Sequence, residues 1–142
     1  MQFIDLKEQQ KEILPKIQQR IQKVLSHGKY IMGPEVFELE ERLSNFVGSK
    51  HCITCSSGTD ALLIPLMAKN IGPGDAVITT PFTYIATAEV ISLLGATPIF
   101  CDIYPSTFNI NPEKIDQAVE VALSKNLNPK AIIPVDLFGL PA

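Results

Sequence analysis

Cys55-Ser56-Ser57-Gly58-Thr59-Asp60-Ala61-Leu62 joins two different kinds of local pattern. The residues before it, from His51 to Cys55, are short and apolar enough to form a buried strand. Those after it, Ala61-Leu62-Leu63-Ile64-Pro65-Leu66-Met67-Ala68, read as a mostly apolar helix. The junction is therefore strand, small polar turn, helix. A helix start leaves its first N–H groups unpaired and carries partial positive charge, so it is a natural seat for a phosphate. Gly58 would let backbone approach such a ligand, and Thr59 adds a hydroxyl. Ser57, Thr59 or Asp60 could equally do no more than cap the helix. The stretch alone leaves both readings open.

Upstream, residues 6 to 25 place Leu6, Ile13, Leu14, Ile17, Ile21, Val24 and Leu25 at helical spacing. Pro15 should kink or restart that helix, and Gly28 can end it. A second helix should begin at Pro34, with Glu35 and Glu38 near its start, and stop at Gly48. Downstream, the turn Gly72-Pro73-Gly74-Asp75 precedes a strand over about 76–80. A helix from roughly Thr83, which would cap it, to Leu94 follows, then a strand over about 97–101, a helix near 112–124 and a strand over about 130–135. Strands separated by helices argue for an α/β chain with a mostly parallel sheet and helices on both faces. The predicted division is a helical segment, 1–48, followed by a sheet-bearing part, 49–142. No linker, internal repeat or low-complexity segment interrupts the chain.

Composition narrows the function classes. The chain of 142 residues is 46% apolar and 19% charged, a soluble globular balance. A net charge of −3 offers no basic patch, which argues against nucleic acid as a partner. No apolar run reaches membrane-spanning length, and Met1-Gln2-Phe3-Ile4-Asp5 lacks the pattern of a signal peptide. Three cysteines, an odd count, favour a reducing cytoplasm. Cys52 and Cys55 form a C-x-x-C, but on a strand they would face opposite sides and no second pair accompanies them, so no metal site is expected. Cys101 reads as a small core residue.

Neither G-x-G-x-x-G nor G-x-x-x-x-G-K-[ST] is present. His27 and His51 stand apart from any carboxylate pattern and read as surface or strand-start residues. Ser26-His27-Gly28-Lys29 fits S-x-x-K only superficially, because it falls where a helix ends. Glu35, Glu38, Glu40 and Glu41 read as the first turn and solvated face of a helix. Tyr84 could stack on a cofactor or pack as a core aromatic at a helix end. Asp102 and Asp136 fall at the carboxyl ends of strands, the edge where open α/β sheets bind ligands. A loop cap is the simpler role for Asp102.

Taken together, ordered blocks across the chain resemble one family. Phe3-Ile4-Asp5-Leu6 and Gly28-Lys29-Tyr30-Ile31-Met32-Gly33-Pro34-Glu35-Val36 are similar to the start of the DegT/DnrJ/EryC1/StrS sugar aminotransferases. The likeness runs on through Ser56–Leu62, Gly72–Asp75, Thr80–Glu89, Gly95-Ala96 and Asp102-Ile103, and closes with Ala131–Gly139. It implies the N-terminal part of a fold type I pyridoxal 5′-phosphate (PLP) enzyme's large domain, 49–142 being its incomplete first part. Such enzymes are usually homodimers. They move an amino group, typically from glutamate, onto a nucleotide-linked keto sugar. The family's phosphate-anchoring turn maps onto Gly58, Thr59 and Asp60, and its ring-stacking aromatic onto Tyr84.

The resemblance also implies what is missing. The family's pyridine-facing carboxylate and Schiff-base lysine follow the strand that here ends near Val135. None of the ten lysines matches the lysine's position, so no catalytic residue is assigned. Family members are more than twice this length, and the chain alone is expected to be inactive and either to need a partner or to be only marginally folded. The overall pattern is nearest to enzymes that make diacetamido-uronic acid sugars from a 3-keto nucleotide sugar. Two alternatives stay open: a sugar dehydratase of the same family, with histidine in place of the lysine, and a non-catalytic remnant acting as an interaction protein. The fold type I strand order predicts that strand 76–80 pairs with both 97–101 and 130–135, and that strand 51–56 pairs with none of them.

Overall fold

Asp75-Ala76-Val77-Ile78-Thr79 forms the central strand β1, and every one of its residues is buried. A computed structural model describes residues 4–142; Phe3, in the first resemblance block, lies outside the described residues. β1 pairs in parallel with β2 (Thr97–Phe100) and with β3 (Asn128–Ile133), giving the order β2-β1-β3. The expected pairing of the strand after Gly74 with the two later strands is what the structure shows. A register irregularity falls between Ala76 and Val77, where Pro129 and Ala131 are the successive partners and Lys130 is extra. Pro129 has no N–H to give the ladder, so a bulge beside it costs little. Lys130 Nζ reaches Asp75 Oδ2 at 3.0 Å there.

Alternation along β1 sorts the core into two layers. Ala76 and Ile78 pack with Ile99, Cys101, Ile110, Ala118 and Ala122, under helix α5 (Ile115–Ser124). Val77 packs with Leu66, Ile71, Val90, Ile91 and Ala96, under α3 (Gly58–Ala68) and α4 (Ala86–Leu93). Helices therefore cover both faces, as the strand–helix alternation predicts. Parallel strands need such crossovers, and the buried central strand reads as a continuous apolar run for that reason. Cys101, 2% exposed, is the core residue expected, and burial raises its thiol pKa.

The chain divides into two compact units after Thr54. The first holds α1 (Leu6–His27) and α2 (Pro34–Val47). Asp5 caps α1 through Glu8 N–H, and Gly28 and Gly48 close the two helices in the left-handed conformation. α1 is not restarted by Pro15, which stands inside one helix of 22 residues. The missing N–H falls in a helix with no buried residue, where water can serve the freed carbonyl. Arg20 holds Glu38 through both guanidinium nitrogens, and Arg42 adds a bond of 2.7 Å. Glu40 accepts from the Thr54 N–H and hydroxyl, and Glu35 from His27 Nε2 at 3.1 Å. Glu35, Glu38 and Glu40 are thus partnered rather than simply solvated, and His27 is half-buried. An open apolar groove of about 630 Å³, lined by Ile21, Val24, Leu25 and Leu39, belongs to this unit.

Two further expectations are corrected. Residues 51–56 form no strand: no ladder partner is present among the described residues, and Ile53 is 82% exposed. A strand is defined by its neighbour's hydrogen bonds, and an apolar stretch without one stays irregular. The premise that Cys52 and Cys55 face opposite sides of a strand falls with it. The helix expected from Thr83 starts at Ala86 instead, and Thr83 does not cap it. The Thr83 hydroxyl bonds to the Thr87 hydroxyl at 2.9 Å, and no side chain caps the helix start. Among the described residues no helix is long and apolar enough to cross a membrane.

Candidate functional site

The start of α3 is built by small polar residues. Ser57 is extended (φ −157°, ψ 166°), and its hydroxyl accepts from Asp60 N–H at 3.1 Å. Ala61 N–H already bonds to the Ser57 carbonyl at 3.0 Å. The N–H groups of Gly58 and Thr59 are the first-turn donors that helix geometry leaves over. The Thr59 hydroxyl makes no hydrogen bond among the described residues. A Cβ built on Gly58 would meet nothing within 4 Å, so the space beside the glycine is open. Ser56 to Thr59 are all exposed.

Asp60 behaves differently from its two neighbours. Its carboxylate accepts from both the Ser56 and Ser57 hydroxyls, and those bonds, Ser56 first, lower its pKa. Its N–H is spent on Ser57. Asp60 therefore braces the turn with an ionised carboxylate and leaves Gly58 and Thr59 as the free donor set. The capping role and the donor role coexist, on different residues.

Tyr84 lies in the loop between β1 and α4, with 73% of its surface exposed. It is not a core aromatic. Thr87 N–H bonds to its carbonyl at 3.2 Å, and the Thr80 hydroxyl accepts from Phe82 N–H at 3.1 Å, so the loop is tied at both ends. α3 packs on the sheet and is followed by a short connection into β1, which runs the helix back along the strand. Its N-terminus and the loop carrying Tyr84 consequently share the carboxyl edge of the sheet, the ligand edge of such folds.

Asp102 and Asp136 share that edge, both already engaged. Asp102 pairs with Lys114 at 2.8 Å and accepts from Ile103 N–H; these bonds, the Lys114 one first, lower its pKa. Asp136 accepts from Ala142 N–H at 2.9 Å. The sequence reading missed a cluster here: the rings of Phe82, Phe108 and Phe138, one from the connection after each strand, meet in one stacked, one tilted and one edge contact. The signal was available, since Phe82, Phe108 and Phe138 each lie in the connection that follows a strand.

A phosphate fits the donor set at the start of α3: two backbone N–H groups, one hydroxyl and a positive helix end, reached across a glycine. An exposed tyrosine on the same edge suits an aromatic ring. The comparisons with known proteins agree with the fold. The DegT/DnrJ/EryC1/StrS aminotransferase family model matches residues 11–142, and the chain belongs to that family. It is 55% identical over 139 residues to a UDP-2-acetamido-2-deoxy-3-oxo-D-glucuronate aminotransferase of Pseudomonas aeruginosa. That match covers 98% of this chain and 37% of the relative. A DegT DnrJ EryC1 StrS aminotransferase from Brucella abortus matches all of the chain with 38% of its own, at 50% identity and a TM-score of 0.95. NtdA from Bacillus subtilis, solved with bound cofactor PMP, matches 92% of the chain with 29% of its own. Its identity is 35% and its TM-score 0.84. The chain thus spans between 29% and 38% of the length of these relatives.

Proposed function

We propose that this chain is the N-terminal part of a PLP-dependent aminotransferase that aminates a nucleotide-linked keto sugar, with glutamate as donor, in amino-sugar or surface-polysaccharide synthesis. The observation that carries the reading is the open donor set of Gly58 and Thr59 at the carboxyl edge, in a chain of this family. The Pseudomonas relative's name points to a UDP-linked 3-keto uronic acid as the sugar. The relative solved with PMP, the aminated form of PLP, supports the cofactor.

In this reading Gly58 and Thr59 hold the phosphate, Asp60 keeps their turn in shape, and Tyr84 lies against the ring. The helix end contributes positive potential without a side-chain charge, which keeps the phosphate fixed while the ring end reacts. Bound PLP supplies an electron sink for the carbanion formed when an amino-bearing carbon loses its proton. The division into a helical segment, 1–48, and the first part of the PLP-binding large domain, 49–142, belongs to the same proposal. So do a homodimer as the complete protein and a cytoplasmic setting. No lysine of this chain is assigned to the cofactor.

The test uses the complete protein. Purified with PLP, it should show cofactor absorbance and convert a UDP-linked 3-keto sugar to the amino sugar with glutamate. Cofactor binding without amino transfer to any keto sugar would overturn the aminotransferase reading.

A further inference from the structure

We propose that Phe82, Phe108 and Phe138 act together as a positioning device for Tyr84, a role that rests on the stacking function proposed for that residue. The three rings come from the connections after β1, β2 and β3, so the cluster ties together the loops of the carboxyl edge. Phe108 stands 5.3 Å from both Phe82 and Phe138, centroid to centroid, and Phe82 stands 6.4 Å from Phe138. The arrangement is one stacked pair and two tilted or edge contacts, the geometries aromatic quadrupoles favour.

Phe108 is the centre of the cluster and occupies a costly conformation. Its φ is +63°, a left-handed value that bulky residues rarely adopt. Its N–H closes a tight turn onto the Tyr104 carbonyl at 2.8 Å. A strained aromatic persists where surrounding contacts over-determine it, and here those contacts are the two neighbouring rings. Asn109 beside it is 8% exposed, and its Nδ2 donates to the carbonyls of Leu140 and Pro141, each at 3.1 Å. The connection after β2 is thereby fastened to the segment that carries Phe138.

Phe82 lies two residues before Tyr84. Upstream, the Thr80 hydroxyl, itself fully buried, accepts the Phe82 N–H. Downstream, Thr83 and Thr87 join their hydroxyls, and the Tyr84 carbonyl takes the Thr87 N–H. Ring packing on Phe82 therefore removes the remaining freedom of a loop already pinned at α4, and leaves the Tyr84 side chain outside. A flexible Tyr84 would have to be ordered each time a ring bound, at a cost in affinity.

The experiment uses the complete protein with Phe108→Gly, Phe108→Tyr and Phe138→Leu. Glycine accepts the positive φ, so Phe108→Gly removes the ring without straining the turn. Two readouts are taken: the NMR order of the Tyr84 ring and of the amides of residues 83–85 without cofactor, and the dissociation constant for PLP. Phe108→Gly should lower the order at Tyr84 and raise the dissociation constant about tenfold. Phe108→Tyr should restore both, and Phe138→Leu should fall between. Should Phe108→Gly fail to fold, Phe138→Leu carries the test with the same readouts. Unchanged order and affinity in the folded variants would overturn the positioning role. Failure of the unsubstituted protein to bind PLP would instead defeat the functional reading, and the order at Tyr84 would still decide this one.

Discussion

The Thr79 hydroxyl donates to the Ile133 carbonyl at 2.9 Å and locks the last residue of the central strand to the end of β3. Thr79 is 0% exposed, and Ile133, on an edge strand, is half-buried. Thr79→Val keeps the shape and deletes the donor. It should cost about 0.5–1.5 kcal/mol of unfolding free energy, the net scale of one intramolecular hydrogen bond. Equilibrium denaturation measures it, and an unchanged midpoint would show that the bond is not needed at this edge.

The start of α3 separates two roles by mutation. Ser57→Ala removes the cap of Asp60 N–H and should lower stability by about 1 kcal/mol. Thr59→Val should leave stability nearly unchanged and weaken PLP binding of the complete protein by about 1 kcal/mol or more. Equal effects of the two substitutions on cofactor affinity would place the phosphate elsewhere.

Tyr84→Ala removes an exposed ring and should barely change the unfolding midpoint of the cofactor-free protein. Cofactor retention, followed by absorbance through gel filtration, should fall clearly. A stability loss as large as the loss of retention would mean that the ring packs rather than stacks.

Glu38 gives a pH signature within the helical unit. Its hydrogen bond from Arg20 holds its carboxyl at about 2, well below the usual carboxylate range. The folded value is depressed, so the stabilisation is complete above the unfolded carboxylate range and fades as pH falls through it toward 2. Glu38→Gln should therefore flatten the acid limb of the thermal-midpoint curve, and salt should shrink the difference because the pair is partly exposed. Parallel curves for the two proteins would rule the contribution out.

How much of this was readable in advance follows from the kind of interaction involved. Val77 and Ile78 declare β1 by local apolar content, and Gly28, Gly48 and Pro34 punctuate α1 and α2, because these are properties of neighbours in sequence. Residues 51–56 look like a strand for the same reason. Their state depends on a partner strand that local pattern cannot name. Thr83 resembles a cap by position, and Thr87 takes its hydroxyl only once the loop is folded. The Gly58–Thr59 donor set was visible as composition, but the division of labour with Asp60 required the Ser56 and Ser57 hydroxyls in place. Arg20 with Glu38, and Phe108 with Phe82 and Phe138, join residues too distant in sequence for any periodicity to pair.

The most direct test of the account is the structure of the complete protein with PLP bound. The account predicts a phosphate that accepts from the N–H groups of Gly58 and Thr59 and from the Thr59 hydroxyl, with the ring against Tyr84 and no bond from any lysine of residues 4–142 to the cofactor's carbonyl carbon. A phosphate held away from the start of α3, or a cofactor joined to one of those lysines, would contradict it.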